Sequence, residues 1–246
     1  MIIMKKKVIR LKEIDSTNCF LREYKEEGEE DMLIAVADFQ TAGKGQGTHT
    51  WESEEGKNLL FSIKVHPHWV PVRQQFLLSM AEALALKDAL DTYVDGITLK
   101  WPNDVYWNDK KISGTLIETT VDSKVIKTCI FGTGINVNQV EFSSDAPNPV
   151  SLCQILGHEV DRDELLQKIV DAFEQYYELL RRADYMDVSG IYHLALYRRK
   201  GFHRYEDADG EFEGALVEVE DDGHLILHDK QGVMRSYAFG EVKFKS

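Results

Sequence analysis

The chain has 246 residues, 43% of them hydrophobic and 29% charged, which excludes a disordered or fibrous protein and suits one large domain with a small one. Its 29 Lys and Arg against 42 Asp and Glu give a formal charge of −13, a surface that repels a polyphosphate backbone and argues against non-specific nucleic-acid binding. The apolar opening before Lys5, Lys6 and Lys7 is too short for a signal segment, and no run is long enough to span a membrane. Cys19, Cys129 and Cys153 lack the spacing of a disulfide framework or a zinc site, so a reducing cytoplasm is the expected compartment.

In chain order, residues 8–14 read as a strand. The run Asp15-Ser16-Thr17-Asn18 offers capping side chains before a short helix over 19–27, which Gly28 ends. Residues 33–39 form a short apolar, buried strand. From 40 to 58 the sequence is polar and glycine-rich, a mobile loop holding Gly43, Gly45, Gly47 and Gly56. A strand follows over 59–65, then a helix over 74–93 with apolar residues at helical spacing. The runs 98–107 and 112–121 about a turn at 108–111 predict a hairpin, and a third run covers 125–137. Hairpin-linked strands flanked by helices predict an α+β fold with an antiparallel or mixed sheet. Asp161 and Glu164 read as a capping box for an amphipathic helix over 162–183 that covers the sheet. After about Lys200 the pattern changes to short strands punctuated by Asp209-Gly210, Asp222-Gly223 and Gln231-Gly232, the spacing of a small all-β barrel. We therefore divide the chain into domains 1–200 and 201–246.

Four segments combine residues that local packing explains poorly: Ser16-Thr17-Asn18, residues 40–51 (QTAGKGQGTHTW), residues 100–118 (KWPNDVYWNDKKISGTLIE) and residues 132–138 (GTGINVN). In KWPND, Pro102 interrupts a strand and presents Asn103 and Asp104 beside it. A carboxylate there suits Mg²⁺, which prefers oxygen ligands shared with phosphates. Taken alone, the segment reads more readily as a solvated turn. Lys110 and Lys111 precede Gly114, where a ligand can approach the backbone, so one ammonium near a phosphate would stabilise developing charge; a solvated hairpin pair is the equal alternative. The run Gly132 to Asn136 offers close backbone approach and an amide, or simply a bulge. The glycines between 43 and 47 match neither the P-loop nor the dinucleotide fingerprint. His66 and His68 flank Pro67 without further ligands at site spacing, Cys129 reads as an inert buried strand residue, and His224 and His228 as surface strand residues.

Together, in this order and at these separations, the four segments resemble the biotin protein ligase family, and the region after Gly201 resembles that family's SH3-like module. The resemblance implies a mixed sheet like a class II tRNA synthetase core, carrying a biotin pocket. By similarity, Ser16, Thr17 and Asn18 bind the ureido end of biotin and Gln40 its carboxyl side. Lys44, Gly45 and Gln46 close over it, and Gly114 lines the pocket where biotin meets the nucleotide. Gly43, Lys44, Gly45, Trp51, Asn103 and Asn136 bind ATP, with Trp51 anchoring the far end of the loop that runs to His49. Lys111 contacts both the biotin carboxylate and the α-phosphate and is the catalytic residue, while Asp104 faces the Mg²⁺. The implied reaction forms biotinyl-adenylate and transfers biotin to a lysine on the biotin-acceptor domain of a carboxylase. The family's loop carries several arginines, GRGRRG, where this chain has Lys44, Gln46, Gly47 and Thr48. Lipoate ligation and a biotin-binding regulatory role are the competing readings. The catalytic pattern begins too early for an N-terminal helix-turn-helix, so no DNA or membrane partner is expected, and a homodimer is compatible with the resemblance.

Overall fold

The computed structural model describes residues 4–26, 28–45, 47, 50–143 and 148–245. Its frame is a seven-stranded mixed sheet built from β1 (Lys6–Ile14), β2 (Met32–Gln40), β3 (Leu59–Val65), β4 (Ile97–Lys100), β5 (Asp104–Trp107), β6 (Lys110–Asp122) and β7 (Val125–Ile135). The order across the sheet is β1-β2-β3-β7-β6-β5-β4. Only β1 and β2 pair in parallel, joined through the helix α1 (Thr17–Glu23); the remaining pairs are antiparallel.

The two faces of the sheet are covered unequally, and that difference creates the site. On one face lies α2 (Phe76–Asp91), apolar almost all round because α4 (Arg162–Arg181) and α5 (Tyr185–Ala195) pack on its far side. The helix expected at 162–183 therefore lies mainly on α2, with Phe173 reaching Phe131 of β7 at 5.3 Å between ring centroids. Its N-terminus is capped by the Asp161 carboxylate, which accepts from the amides of Asp163 and Glu164 at 2.8 and 3.2 Å. Glu164 does not complete a capping box, because its carboxylate pairs with Lys168 one turn on. The reciprocal box occurs instead at Ser151 and Gln154, opening α3 (Leu152–Leu156). On the other face α1 packs Leu21 against Leu33, Ala35 and Ile130, leaving the sheet beyond it uncovered.

The helix α1 begins two residues before the expected start and ends at Tyr24 in extended backbone, well short of Gly28. Ser16 is its N-cap residue but makes no side-chain cap bond; Thr17 and Asn18 are already helical and turn into the sheet. The expected strand 98–107 is two strands, since residues 101–103 form the turn between β4 and β5, with a cis peptide before Pro102.

The C-terminal residues form an antiparallel sheet, β11-β10-β9-β8-β12, of β8 (His203–Asp207), β9 (Gly210–Val219), β10 (Leu225–Asp229), β11 (Met234–Tyr237) and β12 (Lys243–Phe244), consistent with an SH3-like module. All three expected turns are present, and Gly210, Gly223 and Gly232 each sit at positive φ, where a side chain would be strained. The β9–β10 turn docks on the larger sheet: Trp101 Nε1 donates to Gly223 O at 2.9 Å, and the Phe76 amide to Asp221 O at 3.1 Å. His224 belongs to this turn rather than to a strand and contacts Asp222; His228 lies in β10, part-buried. Among the described residues no helix is long and apolar enough to cross a membrane.

Candidate active site

The uncovered face of the sheet floors a cleft of about 1030 Å³, large for one small ligand and suited to two. Strand alternation sets its chemistry. Along β7, Phe131, Thr133 and Ile135 point to the α2 side, so Gly132 and Gly134 face the cleft. Both glycines are required by what lies on them. A Cβ at Gly132 would overlap the Asn18 amide, and one at Gly134 would collide with the Trp51 indole. The GTGIN run is thus a floor for two side chains rather than a bulge.

At one end of the cleft the buried residues Ser16, Thr17 and Asn18 meet Gln40. The Thr17 amide and hydroxyl donate to Gln40 Oε1 at 2.7 and 3.0 Å. Ser62 Oγ lies 2.7 Å from Thr17 Oγ1 and 2.6 Å from Asn18 Oδ1. The Asn18 Nδ2 group donates to Leu116 O and Glu118 Oε1, and Arg22 holds that carboxylate with a 2.5 Å contact. These short polar side chains are pre-oriented by one another. Burial of Thr17, Asn18 and Ser62 is tolerable because their side chains are hydrogen-bonded.

The middle of the cleft is built by a β-bulge. Val105 pairs with Ser113 but Tyr106 pairs with Lys111, so Ile112 is the extra residue on β6. Strict alternation would put Lys111 and Gly114 on opposite faces; the bulge brings both to the cleft, with Lys111 Nζ 3.2 Å from the position a Gly114 Cβ would take. The Lys111 backbone is fixed by Asn148 O and the Val150 amide, each at 2.9 Å. Its ammonium lies 2.5 Å from Asp104 Oδ1, with side-chain exposures of 22% and 16%. Lys110 is exposed, so only one of the two lysines enters the site. Trp51 lies across Gly114 and Gly134, its ring centroid 5.8 Å from Lys111 Nζ, and its buried Nε1 has no hydrogen-bond partner among the described residues. The loop neck is closed by the Trp51 amide on Gly43 O at 3.0 Å and a bridge between Lys44 and Thr50. Lys44 and Gly45 line the cleft there; Gln46 and His49 lie outside the described residues.

Two expected nucleotide contacts are partly spent on the fold. Asn103 Nδ2 donates to Thr115 O at 2.5 Å and Asn136 Nδ2 to Val150 O at 3.3 Å, so each amide keeps its oxygen and a second N–H for a ligand. Sequence reading passed over Ser62, Lys100, Phe239, Lys243 and Phe244. Lys100 opens KWPND and so was within reach; the C-terminal residues arrive by long-range packing, which local pattern does not record. The cleft's described lining carries four lysines (44, 100, 111, 243) against Glu52 and Asp104, an excess of positive charge in an acidic chain.

Residues 11–136 match the model of the biotin/lipoate A/B protein ligase family. The chain belongs to that family. It is 29% identical over 231 residues to the bifunctional ligase/repressor BirA of Bacillus spizizenii, covering 92% of this chain and 70% of that protein. It is also 29% identical over 205 residues to the biotin–[acetyl-CoA-carboxylase] ligase of Paracoccus denitrificans, 78% of this chain and 82% of that one. Among solved structures, the biotin protein ligase from Aquifex aeolicus in complex with biotin and ATP superposes with a TM-score of 0.80 at 28% identity, covering 97% and 98% of the two chains.

His66 stacks on His68 at 6.0 Å and contacts Glu26, and none of the three lines the cleft. The described residues hold one group able to chelate a metal, exposed Glu220, Asp222 and His224 near the β9–β10 turn. Cys129 is buried beneath the sheet, and burial drives its thiol well above the ordinary range, leaving it inert.

Proposed function

We propose that this chain is an ATP-dependent biotin protein ligase. The carboxylate of biotin attacks the α-phosphate of ATP and pyrophosphate leaves. The amine of an acceptor lysine then attacks the mixed anhydride, and AMP leaves. A free carboxylate is a poor acyl donor, so activation precedes transfer, and the protein's task is to align reactants, balance charge and exclude water.

The observation that carries this reading is the placement of the Lys111 ammonium between a neutral, hydrogen-bonding end of the cleft and a cationic one. The buried hydroxyls and amide of Ser16, Thr17 and Asn18, with the part-buried amide of Gln40, match the two N–H groups and carbonyl of a ureido ring; the dithiolane of lipoate offers no such partner. A site built to hydrogen-bond its substrate discriminates strongly against an analogue that cannot reciprocate. Biotin extends from there along Lys44, Gly45 and Gly114 to place its carboxylate at Lys111. ATP occupies the remainder, against Gly43, Trp51, Asn103 and Asn136. The one cleft carboxylate near Lys111, Asp104, fits an Mg²⁺ ion that takes its other oxygens from phosphate and water, as nucleotide-bound Mg²⁺ does.

We place the acceptor among the biotin-carrier domains of carboxylases and the enzyme in the cytoplasm, in keeping with its three free thiols. We assign biotin activation to residues 1–200 and assistance in ATP use to residues 201–246, since the latter supply Phe239, Gly240, Val242, Lys243 and Phe244 to the cleft but none of the ureido end. The test is biotin-dependent exchange of pyrophosphate into ATP. Exchange with biotin and none with lipoate is expected; the reverse preference would assign the chain to lipoate ligation.

A further inference from the structure

We propose that Glu118 is a positioning residue for the biotin end of the cleft. One carboxylate oxygen fixes the direction of the Asn18 amide while the other takes Arg22, so that a carboxylate, not an amide, is needed at position 118. The inference deepens the ligase reading and rests on it for the identity of the ligand.

Asn18 and Arg22 stand about one turn apart on α1, and both reach Glu118 of β6. Asn18 is buried and lines the cleft; Arg22 and Glu118 are not among the lining residues. Asn18 Nδ2 donates to Glu118 Oε1 at 3.2 Å and to Leu116 O at 3.3 Å. Arg22 Nε and Nη2 both donate to Glu118 Oε2, at 3.1 and 2.5 Å. The carboxylate thus gives one oxygen to each of two donors.

This division decides what Asn18 shows to a ligand. A carboxylate and a backbone carbonyl only accept, so the Nδ2 group must face Glu118 and Leu116, and Oδ1 must face the other way. There Ser62 Oγ lies 2.6 Å from Oδ1 and gives it its proton. Oδ1 keeps a second lone pair, an acceptor suited to an N–H of the ureido ring. The amide lies in the space that a Cβ at Gly132 would fill, so it is also seated on the cleft floor.

Glutamine at position 118 would offer one acceptor oxygen to the same two donors. The guanidinium, charged and already making two hydrogen bonds, claims that oxygen, and the new NH2 group turns toward Asn18. Two NH2 groups then oppose each other unless the Asn18 amide flips. A flip sets Oδ1 against Leu116 O and offers N–H groups to a ligand that needs an acceptor. Removing the guanidinium as well frees the single oxygen for Asn18 and restores the native direction.

The experiment compares the full-length chain with Glu118→Gln, Arg22→Met and the double variant Arg22→Met/Glu118→Gln. It measures Kd for biotin and for ATP by titration, and KM for biotin against kcat in pyrophosphate exchange. Glu118→Gln should weaken biotin about tenfold and raise its KM to match, with kcat and ATP affinity held within about twofold. Arg22→Met breaks a half-exposed ion pair and should stay within about twofold of the wild type in every quantity. The double variant should recover most of the biotin affinity lost in Glu118→Gln, although it removes more native contacts. A general loosening of α1 requires the opposite, a double variant at least as weak as Glu118→Gln, and that result would overturn the assignment. So would wild-type biotin affinity in Glu118→Gln, a loss shared equally by ATP, a fall in kcat at unchanged KM, or a loss in Arg22→Met as large as that in Glu118→Gln. If the wild type does not bind biotin, the ligase reading fails and this inference with it. If it does and Glu118→Gln matches it, only the role of Glu118 fails.

Discussion

Lys111 reaches the cleft only because β6 carries an extra residue, and its partner Asp104 is set by the KWPND turn. If the ammonium stabilises charge developing at the α-phosphate, Lys111→Ala should slow adenylate formation by about two to three orders of magnitude. Removing it also strands a largely buried carboxylate, so the double variant Lys111→Ala/Asp104→Asn separates lost chemistry from lost stability. Adenylation should stay low in both, with thermal stability recovering in the double variant. A second residue-scale test lies beneath the floor. Glu82 of α2 is buried and accepts from Thr115 Oγ1 at 3.0 Å and Thr133 Oγ1 at 2.7 Å, tying β6 to β7 directly behind Gly114 and Gly134. Burial raises its pKa to about 7, outweighing the two hydrogen bonds, which act to lower it. The folded state thus holds a proton that the unfolded chain releases near 4.5, so stability falls as pH rises between those values, by about 3 kcal/mol once pH passes 7. Glu82→Gln should flatten the dependence of the unfolding midpoint from about pH 5 to pH 8 and should exceed the wild type in stability only at the alkaline end. The charged residues of KWPND and KKISG were legible in the sequence because they are polar where a sheet should be apolar. Glu82 and Ser62 were not, since each becomes informative only through a partner on another element.

At the scale of elements, strands and their turns were read well, because period-2 alternation and Asp-Gly or Gln-Gly turns are local signals; β3 and the three C-terminal turns lie where expected. The helices α3 and α5 went unread: one is five residues long, and the other carries Met186 and Leu194 exposed, blurring its apolar face. The ends of α1 were misplaced because Thr17 and Asn18 look like caps but serve the site from inside the helix. The loop between β2 and β3 carries its own prediction. Where relatives of the family have arginines, this chain has Lys44 and Gln46, and neutral amides bind an anionic adenylate more weakly than guanidinium groups. Gln46→Arg should slow release of preformed biotinyl-adenylate about tenfold, the effect of about 1.4 kcal/mol, and Lys44→Ala should speed it. Equal release rates for the wild type and both variants, measured by chase, would show that loop charge does not retain the intermediate.

For the whole molecule, a chain of net charge −13 concentrates four lysines in one cleft between its two sheets, which is where a polyanionic substrate would be drawn. A sheet flanked by helices was legible from the order of elements; the cleft was not, because it arises from what α1 leaves uncovered on its face and from how Phe239, Gly240, Val242, Lys243 and Phe244 approach it. The most direct measurement is the intact mass of a carboxylase biotin-acceptor domain after incubation with this chain, biotin, ATP and Mg²⁺. A single increment equal to one biotinyl group, absent when ATP is omitted or when the acceptor lysine is replaced by arginine, is the predicted result. An unmodified acceptor, or an increment obtained with lipoate in place of biotin, would contradict the account.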